Sequence, residues 1–583
     1  MKTIILKIFI ILSCIGLLFT SCTSAGTLDK KSTASEYSQQ VQNLEKLCLV
    51  WGYSKYRHPA FYTGKKDWDE ELLTLIPQVK EAKTDQETNQ ILYDWFESLG
   101  QADFEETRNH QSWKNQDPEK IDIQADIRWS KDKHYLGEKL SAALQQIEIR
   151  PTVKGESSPP VCFNASNSML QFYEKSYPDF DYSKLEDRLL GLFRVWNAIE
   201  YHFPYLDLMD ENWHDLLPES ISQMLDANNR HSYDLTLASM TAKLRDPHVS
   251  FTDIEYIVEE FGEYLVPVNF LMVEGCPVVV DIFAEDCQLQ IGDAIQKLNG
   301  QEIGEVIKER QQYLSTSTDE KLRATILDGY LLTSHEQMME VAVLRDGKEQ
   351  TFKVKGNTRR EVYERIKKIS TIREITTSEI LEGNIGYILM GTLTEKNINE
   401  TMEKLAETDG LVLDLRIYPH YHAALLMQSY LSKGVGKVPM QWGDPVTSYP
   451  GAYRYRDQTM GMSTIPEHKG EYSEKPVVVI IDEGTWSFGE YIAMIYRTNE
   501  NVILLGENSI GSDGDRKMIL LPDQTSQGEK RELGFTCFGV YGPNMEQTQR
   551  VGLTPDIEVH PTIEGIKEGR DELMEAAVNY IKS

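Results

Sequence analysis

The sequence predicts an α+β multidomain protein with a helical N-terminal part, a β-rich middle and an α/β C-terminal part. Three observations carry this. Apolar residues recur at helical spacing in two stretches before residue 245. Short β-branched runs broken by Gly-Asp, Asn-Gly and Asp-Gly follow, from about 258 to 358. After residue 369, apolar runs such as GLVLDL, PVVVII and NVILLG alternate with amphipathic segments. At 583 residues the chain is too long for one core. Its 40% hydrophobic and 26% charged content is that of soluble globular domains. A net charge of −31 argues against a nucleic-acid partner, which needs basic surface to neutralise phosphates.

Residues 1–22 have Lys2 and Lys7, then a short apolar core, then Phe19-Thr20-Ser21-Cys22. That order is a signal peptide. Small residues immediately before Cys22, and a polar stretch after it, resemble a bacterial lipoprotein signal with Cys22 lipidated; an ordinary signal peptide cut nearby is the alternative. The expected location is therefore the cell envelope, lipid-anchored to a membrane. Residues 23–40 are polar and read as a tether. Five cysteines remain beyond residue 22, and an odd number excludes complete intramolecular pairing; Cys276 and Cys287 are near enough to close a hairpin, or stay as free thiols. No His or Cys cluster has zinc spacing, and no metal or cofactor is implied.

The first helical domain spans 41–150, with Leu44, Leu47, Val50 and Trp51 on one face. A linker at 151–186 bears Pro151 and Pro160. The second helical segment, 187–257, repeats the first: Trp51, Tyr56, Pro59 and Trp68 match Trp196, Tyr201, Pro204 and Trp213 at a constant offset of 145. Aromatics at this spacing are core residues first, and the prolines end helices. Only the second copy continues into KLRDPHVSF, with Asp246 and His248.

The β-rich region 258–358 has Gly292-Asp293 before an apolar pair, an Asn299-Gly300 turn and a hairpin about Asp346-Gly347. This series resembles a PDZ domain, although GEYLVPVNF stands where a carboxylate-binding loop belongs. The α/β region 370–583 contains VVVIIDEGTWSFGEY, where an apolar strand meets a helical pattern at Ser487-Phe488-Gly489-Glu490. S-x-x-E is the spacing of a helix capping box, so Ser487 is either a cap or a nucleophile.

The order of pieces distinguishes the two. D-x-H, a PDZ-like domain, GLVLDLR, VVVIIDEGTWSFGE, VILLGENSIG and RVGLTPDIEV follow one another. This order resembles the tail-specific, C-terminal-processing serine peptidases and the tricorn protease core over roughly residues 187–583, and the C-terminus looks like that of Bacteroidetes-type lipoprotein members. The resemblance implies a ClpP/crotonase-like α/β peptidase domain at 370–583 and a serine-type endopeptidase acting on periplasmic or surface proteins and peptides. It places Ser487 on the nucleophile. One branch of the family uses a lysine about 25 residues on; Ser512 stands there, and Lys517 is five residues further. The tricorn-like branch uses a histidine before the PDZ domain, which maps to His248, a suitable general base at neutral pH. Asp246 or Glu546 is expected to orient it, Pro247 replacing the serine of the tricorn pattern. Phe488 N–H and residues 419–421 are the expected oxyanion donors, with His420 and Tyr421 standing where the family has glycines; His420 or His422 offers a side-chain alternative. A peptide-binding pseudopeptidase on the same scaffold is the rival reading, and hydrolysis of another ester or amide a third.

Overall fold

The computed structural model describes residues 37–100, 123, 126–150, 159–164, 169–318, 329–372, 376–434, 437–459 and 468–583. Cys22, the signal and tether at 1–36, and most of the Pro151 to Pro160 connection lie outside the described residues. Among the described residues no helix is long and apolar enough to cross a membrane.

Three helices of each helical copy correspond to one another. The first has α1 (Gln39–Lys55), α2 (Trp68–Glu81) and α3 (Asp85–Ser98). The second has α4 (Leu185–His202), α5 (Trp213–Asp226) and α6 (Arg230–Ala242). Their caps keep the sequence offset: Asp67 and Thr84 cap α2 and α3, and Asn212 and Asn229 cap α5 and α6. The tryptophans keep it too. Trp51 Nε1 donates to Trp68 O at 2.7 Å and Trp196 Nε1 to Trp213 O at 3.3 Å. The copies meet at equivalent positions: the Tyr56 and Tyr201 rings lie 5.6 Å apart, and a Cβ on Gly52 would sit 1.6 Å from Asn197 Oδ1. Glycine is therefore needed at 52 for the close approach of α1 and α4.

The middle region forms an antiparallel sheet from β2 (Val268–Val273), β3 (Cys276–Ile282), β4 (Ala294–Leu298), β5 (Met338–Arg345) and β6 (Lys348–Lys355), in the order β6-β5-β4-β3-β2. The helix α7 (Ile303–Arg310) packs Val306 and Ile307 on its core. Both turn dipeptides adopt positive φ: Asn299 at 49° and Gly300 at 83°, Asp346 at 49° and Gly347 at 72°. Cys276 and Cys287 are free thiols, so the hairpin disulfide does not form.

The C-terminal sheet is β7 (Ser378–Leu381), β8 (Ile385–Leu389), β9 (Gly410–Asp414), β10 (Val477–Ile481), β11 (Val502–Gly506) and β14 (Ile557–Glu558), in that order across the sheet. All neighbours except β7 and β8 are parallel. Every residue of β9 and β10 is buried, as a parallel strand covered on both faces requires. Helices α8 (Tyr421–Leu431) and α9 (Phe488–Tyr496) pack on one face, and α10 (Glu572–Lys582) on the other.

A smaller sheet joins the halves. β1 (Ser250–Phe251), just after α6, pairs with β13 (Lys530–Thr536), which pairs with β12 (Arg516–Gln524). Buried arginines lock the joint. Arg531 of β13 bonds Asp234 of α6 at 2.9 Å, and also Asp523 and Asp253. Arg194 of α4 donates to Leu520 O of β12 at 2.9 Å and to Asp69 at 2.7 Å. The loop after α6 is thus held against the end of β13.

Candidate active site

Ser487 sits where β10 turns into α9. Its φ of 51° is rare for a residue with a side chain, a conformation the surroundings must enforce. The preceding loop supplies that enforcement. Gly484 N–H donates to Asp482 Oδ1 at 2.7 Å, Thr485 Oγ1 to Leu415 O at 3.0 Å, and Ile510 N–H to Thr485 O at 3.0 Å. A Cβ at Gly484 would lie 2.6 Å from Arg416 O, so the loop passes too close to the end of β9 for any larger residue. Ser487 then stands at the N-terminus of α9, where the helix dipole favours negative charge.

Glu490 caps backwards, as the S-x-x-E spacing allows. It is fully buried, and its carboxylate takes bonds from two segments. Oε2 accepts from Ser487 N–H at 3.0 Å and Ser512 N–H at 3.1 Å; Oε1 accepts from Gly511 N–H at 2.9 Å and from the Ser509 hydroxyl. One carboxylate therefore ties the serine turn to the loop 509–512.

That loop reaches His248. β1 pairs Ser250 with Gly534, and continuing the antiparallel register brings His248 opposite Thr536. Thr536 Oγ1 lies 2.9 Å from His248 Nδ1, Ser512 Oγ 3.2 Å and Asp246 Oδ1 3.5 Å. Asp246 Oδ1 also accepts from His248 N–H at 3.0 Å, and Asp246 N–H donates to Ser315 Oγ at 2.9 Å. Both residues are buried. Burial by itself would raise the Asp246 carboxyl, but hydrogen bonds from His248 and Thr536 and the His248 charge outweigh it and hold the group below its ordinary range. With Nδ1 turned to three oxygens, Nε2 is the nitrogen left for chemistry. The His248 ring is 5.8 Å from the ring of Trp486, the neighbour of Ser487.

Of the sequence-predicted orienters, Asp246 is in contact and Glu546 is not. Glu546 is exposed, its carboxylate held in its own turn by Asn544 N–H and Nδ2, both at 2.8 Å, and it is absent from the partners of His248. Ser512, at the position counted for a lysine, is instead a hydroxyl partner of the histidine. Lys517 pairs with Asp515 at 2.5 Å. Thr536 had no sequence signal; only strand register reveals it.

On the oxyanion side the expected residues lie at the start of α8. His420 caps α8 and Tyr421 begins it, with exposed side chains. The Tyr421 ring stacks on Phe488 at 4.8 Å, and His422 faces Glu395 at 3.6 Å. The side chain packed on both neighbours of Ser487 is Tyr418. Its ring lies 5.2 Å from Trp486 and 6.5 Å from Phe488.

Residues 384–559 match the sequence profile of peptidase family S41. This segment is similar to the peptidases of family S41. A carboxy-terminal-processing protease of Bartonella bacilliformis is 24% identical over 345 residues, 56% of this chain and 69% of the relative. The solved structure of mature CPAF complexed with lactacystin aligns with TM-score 0.53 at 12% identity, covering 68% of this chain and 98% of that one. Mature CPAF alone gives 0.51 at 11% identity, covering 68% and 96%. At these identities the two structures establish the fold. The S41 segment contains Ser487, Tyr418, Glu490, Ser512 and Thr536; Asp246 and His248 come from outside it, delivered by α6 and β1.

Proposed function

We propose that the chain is a serine endopeptidase with Ser487 as nucleophile and His248 as general base and acid, acting on peptides or proteins of the cell envelope. The observations that support this most are a strained serine at a helix N-terminus and a buried histidine, its ring 5.8 Å from that of the adjacent Trp486, whose Nδ1 is engaged by Thr536, Ser512 and Asp246. In this reading Nδ1–H donates to the Thr536 hydroxyl, while the Ser512 hydroxyl donates to Asp246 Oδ1; this fixes the tautomer with Nε2 unprotonated. Ser487 Oγ attacks the peptide carbonyl carbon while Nε2 takes its proton. The oxyanion receives Phe488 N–H. Nε2 then protonates the leaving amine, and water attacks the acyl-enzyme by the same route. The sheet at 258–358 is proposed as PDZ-like, and Cys22 as the lipid anchor; neither metal nor cofactor enters the scheme.

Casein digestion tests the assignment. Wild type should cleave, and Ser487→Ala and His248→Ala should lose at least about 10³-fold. Equal cleavage by wild type and Ser487→Ala sinks the assignment. Peptide binding by both without cleavage assigns the chain instead to a peptide-binding pseudopeptidase.

A further inference from the structure

Tyr418 stands four residues beyond Asp414, the last residue of β9, in the turn that faces the start of α9. Its ring contacts the residues on both sides of Ser487, at 5.2 Å to Trp486 and 6.5 Å to Phe488. The phenol thus spans the serine. Phe488 N–H, the backbone donor next to the nucleophile, belongs to one of the two residues this ring packs on. A phenol packed on both neighbours of the nucleophile borders the place where a carbonyl oxygen becomes an oxyanion. In the same turn Pro419 has no N–H.

We propose that the Tyr418 hydroxyl is the second donor of the oxyanion hole, a side chain doing what a backbone N–H does elsewhere; this rests on the reading of Ser487 as nucleophile. As the bond from Ser487 Oγ to the carbonyl carbon forms, the π pair moves onto oxygen and the Oγ proton goes to His248 Nε2. The oxyanion then receives two hydrogen bonds, from Phe488 N–H and Tyr418 O–H, and the phenol keeps its proton. The phenol is 43% exposed; the partial burial that remains lifts its acid range, only partly opposed by Ser487 and Phe488 N–H, so it remains a donor across neutral pH.

The test uses the full chain with a fluorophosphonate probe and peptide mapping of the label. For Tyr418→Phe, the maximal labelling rate at Ser487 should fall about 10²-fold, while the concentration for half-maximal rate stays unchanged. That split is not expected of a residue that only packs. A faster rate in Tyr418→Phe overturns the proposal and makes the phenol an occluding group. Label at Ser487 with no effect of Tyr418→Phe overturns Tyr418 alone. A wild type without label at Ser487, or label undiminished in Ser487→Ala, overturns the nucleophile reading and this proposal with it.

Discussion

Replacing Glu490 by glutamine should loosen the serine turn and the 509–512 loop together. The buried carboxylate accepts four bonds, two per oxygen, from Ser487, Ser512, Gly511 and Ser509. Glutamine turns one oxygen into an amide donor. The less costly orientation points that amide at Ser509, whose hydroxyl can rotate to accept, and at Gly511, whose N–H cannot. One charge-assisted bond is then lost and the others weaken. At about 1.5–3 kcal/mol per hydrogen bond to a charged group, the local loss is about 3 kcal/mol. Hydrogen exchange followed by mass spectrometry reads this directly: amides of 487–490 and 509–512 should exchange about 10²-fold faster, with the sheet at 258–358 unaffected. Casein hydrolysis should fall at least tenfold, roughly what a small displacement of catalytic groups costs. Unchanged exchange in both segments, with unchanged hydrolysis, refutes the view that one carboxylate holds the two halves of the site.

Three further substitutions probe the histidine side and the helical pair. Asp246→Asn removes the carboxylate 3.5 Å from His248 Nδ1 but leaves Thr536 and Ser512, so kcat should fall about 10²-fold rather than the full extent seen where an aspartate is the sole orienter. Thr536→Val removes the hydroxyl link at similar volume and should lower kcat about tenfold with melting temperature nearly unchanged; no effect on kcat would show that Asp246 orients the ring directly. His202 is buried against Tyr56 and Phe172, with no hydrogen-bond partner for either ring nitrogen among the described residues, and burial pushes it from 6.5 down to about 3. Below pH 6.5 the unfolded chain takes up this proton and the folded one does not, so wild type loses stability relative to His202→Phe. The difference between them should shift by about 2 kcal/mol from pH 7 to pH 5, measured by denaturation at the two pH values; a pH-independent difference contradicts the buried neutral ring.

Much of the scaffold was legible because it rests on short-range rules. The 145-residue offset survives in helix caps and in tryptophan bonds, both local. Asn299-Gly300 and Asp346-Gly347 are dipeptides that tolerate positive φ, and they adopt it. Ser487 was legible as a serine at a strand-to-helix junction, and its cap spacing turned out to serve the loop at 512 as well as the helix. The partners of His248 were less accessible, because they depend on pairing across 288 residues between His248 and Thr536. Glu546 misled for a related reason: proximity in the C-terminal sequence says nothing of whether a turn points inward, and here Asn544 holds it in its own exposed turn. Tyr418 carried no periodic or motif signal. Its role follows only from the way β9 and β10, parallel neighbours, deliver their following turns to the same end of the sheet.

The most direct test of the central claim is a pre-steady-state reaction with a peptide p-nitrophenyl ester. Wild type should release one equivalent of p-nitrophenol in a burst and carry the acyl group on Ser487, located by mass spectrometry, with the burst absent in Ser487→Ala and slowed in His248→Ala. An acyl group on any other residue, or a burst of equal size in Ser487→Ala, contradicts it.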